Sequence, residues 1–301
     1  MDIALINENY PWIFTAVFFL LGACVGSFLN VCILRLPKGE SIISPPSHCA
    51  CGKPIKFYDN IPILSWLLLR GKARCCGRRI SPRYFAVELL TAALFAFAWA
   101  SNAPQTAAAG MVFISIMIFC AFVDIDTMML PDFATIGGTA TGAILSAMLP
   151  ELHDIHLEEY PFAVSAVASL ICSCAGILVG SGMLYWIRLL GQTVFRREAM
   201  GEGDVILIGC IGAFCGWQGA LFAIFGGSLI GSLIMIPIFA ITRLLKTDKA
   251  KKSKLAESEN PEEIEGAIPF GPWLALGGIL YFLFFREITD SYFQNFTAIF
   301  F

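Results

Sequence analysis

Long apolar runs, broken by short charged stretches, constrain this chain more than any other feature. A bilayer hydrocarbon core about 30 Å thick is crossed by roughly 20 apolar residues in a helix. Eight runs approach that length: 11–34, 84–101, 106–124, 133–149, 162–187, 205–217, 219–241 and 267–285. The run 205–217 is short and is expected to begin or end within the membrane. Charged residues make up only 14% of the 301, against about 25% in soluble domains. A water-soluble enzyme, a disordered chain and a disulfide-stapled secreted module are thereby excluded. The expected fold class is all-α, a polytopic membrane protein with eight transmembrane helices.

The basic residues test that span map. Ten of the 20 Lys and Arg lie in 35–83, three in 188–204 and six in 242–266, leaving Arg286 alone. With eight spans, these three segments fall on one side, and an excess of Lys and Arg marks the cytoplasmic face. The localisation expected is the cytoplasmic (inner) membrane, with both termini and the acidic loop 150–161 on the periplasmic side. The ten residues before the first run carry Asp2 and Glu8 but no Lys or Arg. A signal peptide has a basic n-region, so 11–34 reads as a permanent span.

Three units follow: 1–34 as the first transmembrane helix, 35–83 as a small cytoplasmic domain between helices 1 and 2, and 84–301 as the membrane core. Stretch 246–266, Lys-rich then Glu-rich, reads as a mobile linker. Of the 11 cysteines, seven lie in apolar runs, where Cys behaves as a small hydrophobe. The other four, Cys49, Cys51, Cys75 and Cys76, lie together in 35–83.

Acidic residues beside membrane segments carry the chemical information, because a charge near hydrocarbon is costly. One cluster is Asp124-Ile125-Asp126 through Leu130-Pro131-Asp132, closing the third span. The other is Gly201-Glu202-Gly203-Asp204, opening the sixth. The charge map puts both at the cytoplasmic face. Two facing carboxylates do not both ionise easily, so one keeps its proton. The ionised partner can take a proton from water while the protonated one polarises a carbonyl. That is aspartyl peptide hydrolysis, with no metal. Gly201 and Gly203 offer unusual backbone angles and close approach to a peptide strand. An Asp at a helix end is, taken alone, more often a cap or an interfacial charge. Glu88, early in the second run, reads as an interhelical contact or a cavity-lining group.

A wider set of motifs resembles the bacterial type IV prepilin peptidases, leader peptidase/N-methyltransferases of the G-x-G-D class. The matching stretches run in order through Gly26-Ser27-Phe28-Leu29-Asn30-Val31, Arg35-Leu36-Pro37, Asn60-Ile61-Pro62, Leu64-Ser65-Trp66, Arg70-Gly71-Lys72, Ile80-Ser81, Arg83-Tyr84 and Val87-Glu88-Leu89-Leu90-Thr91. They continue through the Asp124–Asp132 block and Gly201–Asp204 to Pro269-Phe270-Gly271-Pro272. The resemblance implies removal of the basic leader from type IV prepilins and type II secretion pseudopilins. It also implies methylation of the new N-terminal amine from S-adenosylmethionine. Asp124 and Asp204 take the catalytic places, with Asp126 and Asp132 supporting and Asp126 the rival for the first place. The family's paired C-x-x-C motifs imply zinc, but this chain departs from them. Cys49-Ala50-Cys51 is one residue short, Ala73 stands where a Cys is expected, and Cys75 adjoins Cys76. Cys49, Cys51, Cys75 and Cys76 nonetheless remain the candidate zinc ligands, the methyl donor's site stays open with 35–83 the expected region, and no nucleic acid partner is expected. Two rivals remain: a secondary transporter, which would carry its acids nearer mid-span, and an inactive scaffold relative.

Overall fold

The computed structural model describes residues 10–49, 51–155, 161–196, 200–250, 269–289 and 291–292. The fold is all-α, with eight α-helices among the described residues: α1 (Pro11–Arg35), α2 (Leu64–Leu68), α3 (Pro82–Ser101), α4 (Pro104–Thr127), α5 (Asp132–Met148), α6 (Phe162–Phe195), α7 (Glu202–Ala250) and α8 (Gly271–Leu280). Five are long and apolar enough to cross a membrane: α1, α3, α4, α6 and α7. A π-helical turn, Tyr281–Phe285, continues α8.

Local chemistry sets the boundaries. Pro stands in the first turn of α1, α3, α4 and α8, where its missing N–H is no loss. The Ser81 hydroxyl caps α3 by accepting from Arg83 N–H. Met128, in the left-handed conformation, ends α4 with its N–H on the Asp124 carbonyl at 2.9 Å.

Helix α4 is the hub. Its Phe113, Ile114, Met117 and Ile118 are buried, and Phe113 meets Phe214 of α7 and Phe282 beyond α8. On one side α4 joins the α1–α3 pair; on the other it meets α8 and α5, which pack with α6 onto α7. The backbones of α6 and α7 touch at Gly176 and Gly212, where no side chain would fit. Outward faces carry exposed Leu20, Leu178, Leu229 and Leu233, a surface suited to lipid rather than water.

Runs 205–217 and 219–241 lie on either side of Gly216, whose φ of 67° and ψ of −174° are non-helical and favour glycine, so α7 is two helical halves joined at a kink. It continues to Ala250, so 246–250 is helical where a linker is expected; 251–266 lies outside the described residues, as do both chain termini. Helix α6 runs past residue 187 to Phe195. The loop 150–161 opens with a 3-10 turn, Pro150–His153, and 156–160 is likewise outside the description.

Candidate active site

Asp124 sits in the last turn of α4 and Asp204 in the first turn of α7. Both are buried, at 5% and 7% exposure. A carboxylate near a helix C-terminus faces the negative end of the macrodipole, so Asp124 is not placed there for helix stability. Its Oδ2 instead accepts a 3.0 Å hydrogen bond from the backbone N–H of Gly271, at the start of α8. Asp204 is hydrogen-bonded by the Gly201 backbone and feels the Asp124 charge directly. The two acidic motifs also touch through packing, because Leu130 fills the space where a Gly203 side chain would be. Neither Gly201 nor Gly203 has a positive φ. Gly203 serves close packing rather than unusual backbone angles, a difference from the sequence expectation. A Cβ at Gly201 would stand 3.7 Å from Asp204 Oδ2, an ordinary van der Waals contact.

The other acids are set apart. Asp126 pairs with Arg83 of α3 and is about a third exposed, with Arg83 also bonded to the Phe122 carbonyl. Asp132 is exposed in the first turn of α5, where an acid suits the helix dipole. Glu202, also exposed, pairs with Arg188 of α6 at 2.9 Å. The residue that the motifs gave no role is Gly271. The quoted Pro-Phe-Gly-Pro stretch was its only signal, because nothing in a sequence shows a backbone N–H aimed at an acid in a distant helix. A Cβ at Gly271 would stand 2.7 Å from Asp124 Oδ2.

The four polar-segment cysteines converge, each on one of two short hairpins. Cys49 N–H bonds the Lys53 carbonyl and Ala73 N–H the Arg78 carbonyl, both at 2.8 Å. The turns close on Gly52 and Gly77, both at positive φ. Cys49 Sγ lies 3.5 Å from Cys76 Sγ and Cys51 Sγ 3.4 Å from Cys75 Sγ, and all four sulfurs fall within 4.8 Å of one another. Zn–S bonds of about 2.3 Å make a tetrahedron with edges near 3.8 Å, so the cluster fits such an ion. Irregular spacing along the chain therefore does not prevent convergence, because the close pairs form between hairpins. The Cys51 backbone N–H, with help from the Cys75 and Cys76 thiols, holds the Cys49 thiol at about 7. Hydrogen bonds with Cys49 and Cys51 push Cys75 up to about 12.

A cavity of about 1130 Å³ lies beside this cluster, between α1, α3 and the segment joining them. Glu88 lies on its wall and accepts a 2.7 Å hydrogen bond from Ile63 N–H. Neither Asp124 nor Asp204 borders it.

The arrangement defines a class: a multi-pass helical membrane protein with two buried acids converging at helix ends and a thiol cluster in the segment after its first span. Residues 20–102 match the bacterial peptidase A24 N-terminal domain, and 111–236 match the type IV leader peptidase family. The chain belongs to that family. It is 31% identical to the prepilin leader peptidase/N-methyltransferase of Myxococcus xanthus, over 89% of each chain. It is 33% identical to the one of Aeromonas hydrophila, over 96% of this chain and 97% of that protein. Against the one of Klebsiella pneumoniae the identity is 37%, over 72% of this chain and 93% of the relative. No solved structure matches the chain.

Proposed function

We propose that this protein cleaves the leader peptide of type IV prepilins or related pseudopilins at the cytoplasmic face of the inner membrane, then methylates the exposed N-terminal amine. The relatives' names carry those two activities. The observation that supports the first of them here is the convergence of Asp124 and Asp204, both buried, from opposite helix ends.

In this reading the chain crosses the bilayer eight times. Helix α7 supplies two spans on either side of the Gly216 bend, and α5 and α8 complete the set. The basic segments then share the cytoplasmic side with both acidic motifs. The substrate's apolar helix lies in the bilayer against the enzyme, so its cleavage point meets the carboxylates at the membrane rim. One carboxylate removes a proton from water, which attacks the scissile carbonyl. The other, protonated, hydrogen-bonds the carbonyl oxygen and later returns a proton to the leaving amine. Gly271 N–H orients Asp124 for this work. Asp126, engaged by Arg83, supports the site and is not its first acid. A transporter would place paired acids toward mid-span, and the placement of these at helix ends favours hydrolysis. Residues 35–83 form the cytoplasmic domain, with Cys49, Cys51, Cys75 and Cys76 holding a structural zinc ion. S-adenosylmethionine supplies the methyl group when bound.

Asp124→Asn and Asp204→Asn test the reading in detergent-purified enzyme given a prepilin. Each is expected to lower cleavage at least about 1,000-fold, within the range for removing a positioned acid or base. Both should still methylate a pilin supplied already cleaved. Retained cleavage in either folded variant overturns the assignment.

A further inference from the structure

Building on the reading that this chain is a methyltransferase, we infer that the cavity between α1 and α3 is the methyl-transfer site, with Glu88 receiving the substrate's α-amine and Trp66 offering a stacking face to the methyl donor's adenine. The cavity's volume of about 1130 Å³ suits two bound groups, since single small-molecule sites run about 300–1,000 Å³.

The cavity wall is mostly basic, with Arg35, Lys53, Lys56, Arg74, Arg78 and Arg79 on it, and among the described residues two carboxylates, Asp59 and Glu88, stand among them. Asp59 is already held by Arg74 Nε at 2.9 and 3.1 Å. Glu88 has neutral partners instead: the Ile63 N–H and the Ser27 side chain. Among the described residues no cation pairs with it. Both reacting centres in amine methylation, an α-ammonium and a sulfonium, carry positive charge, and Glu88 is the lining carboxylate left to attract either, while the lining cations suit the donor's own carboxylate. Ile63 adds a second sign. It is β-branched yet held at φ 63°, and strain of this kind gathers at ligand sites.

The aromatic side fits the donor. Trp66 stacks on Phe85 with ring centres 4.8 Å apart, and both line the cavity. Trp66 Nε1 is buried and has no hydrogen-bond acceptor, a lack that a polar ligand could supply. The placement suits delivery as well. Glu88 is the seventh residue of α3, about 9 Å from its start at 1.5 Å per residue. The Arg83–Asp126 pair ties the same end of α3 to the Asp124 end of α4. A freshly cut pilin thus moves sideways along one rim of the bilayer and does not cross it.

The step balances. The α-ammonium gives a proton to the Glu88 carboxylate. The freed nitrogen lone pair attacks the methyl carbon, and the carbon–sulfur bond breaks with its electrons remaining on sulfur. The products are a methylated ammonium and a neutral thioether, and Glu88 returns its proton to water.

The test uses full-length enzyme in detergent, with prepilin, pre-cleaved pilin and S-adenosylhomocysteine as probes. Glu88→Gln keeps an oxygen for the Ile63 N–H. It should lower methyl incorporation at least about 100-fold, as loss of a proton acceptor does, while prepilin cleavage stays within about twofold. Trp66→Ala should weaken S-adenosylhomocysteine binding about 10-fold by calorimetry, within the range of a lost base–aromatic stack. A photoreactive S-adenosylhomocysteine analogue on the unmutated enzyme should label peptides holding residues 24–35, 59–66 or 84–88. That label decides the matter should either variant fail to fold. Label confined to other peptides, or full methylation by Glu88→Gln, overturns the site. An unmutated enzyme that cleaves but neither methylates nor binds the probe overturns the methyltransferase reading itself, and the site with it.

Discussion

The acid pair and the thiol cluster each gather residues from distant parts of the chain, but they are held in different ways. Around Asp124 and Asp204, Val123, Leu207, Ile208 and Leu274 are at most 1% exposed. Gly203 and Gly271 there meet side chains with no room to spare. The carboxylates are positioned by dense packing. Among the described residues of 36–80, by contrast, only Cys49 and Gly71 are buried. A segment with so small an apolar core needs a staple. Two hairpins that aim four sulfurs at one point provide the place for it. Geometry in the core comes from van der Waals contact, and in 35–83 the proposed zinc ion would supply it through the four sulfurs.

Removing the ion should therefore affect the two regions very unequally. Cys49→Ser combined with Cys76→Ser takes one ligand from each hairpin. Trypsin cleavage between Arg70 and Arg79 should then accelerate at least about 10-fold. Methylation should fall by a similar factor, because Trp66 and Ile63 belong to the same segment. Prepilin cleavage should stay within about threefold, and metal analysis should show zinc lost. A parallel collapse of cleavage would show that the core leans on the segment, and would break the contrast.

The reverse experiment perturbs packing in the core alone. Gly271→Ala puts a methyl group 2.7 Å from Asp124 Oδ2, so the carboxylate must move. Displacement of a reacting group by about 1 Å can lower a rate about 100-fold. Prepilin cleavage is expected to fall by that order, with methylation of pre-cleaved pilin unchanged. An unaltered cleavage rate would remove Gly271 from any positioning role.

A smaller effect is expected where the two regions are joined. Arg83 and Asp126 are each about a third exposed, and such pairs contribute about 1 kcal/mol or less. Asp126→Asn should lower cleavage less than about fivefold. Abolished cleavage would make Asp126 the first catalytic acid in place of Asp124.

The parts of this design legible in the sequence are those carried by composition and local order. Apolar runs show helices, Lys and Arg show sidedness, and acids beside hydrocarbon stand out because burial makes them expensive. Contacts between distant residues were hidden. Nothing about Gly271 or Leu130 announces which acid or glycine it meets. The cysteines are legible in the sequence as a group but not in their pairing. Spacing suggests chelation within each pair, while the short sulfur distances run between hairpins.

The least effect lies at the far end of the core, where packing has enclosed a titratable group. His153 is pushed down to about 4 by burial and by the nearby Arg286 cation, against a hydrogen bond to the Ala213 backbone. Unfolded, it titrates near 6.5. The unfolded chain thus binds this proton first, and its contribution to stability is present above about pH 6.5. It declines as pH falls toward 4 and is level below that. The full swing is about 3 kcal/mol. His153→Gln should flatten the fall in unfolding temperature between pH 6.5 and 4 by a few degrees. Zinc content across that range should be the same in variant and parent, since His153 belongs to the packed region. A fall in unfolding temperature as steep in the variant as in the parent would assign the acid sensitivity elsewhere.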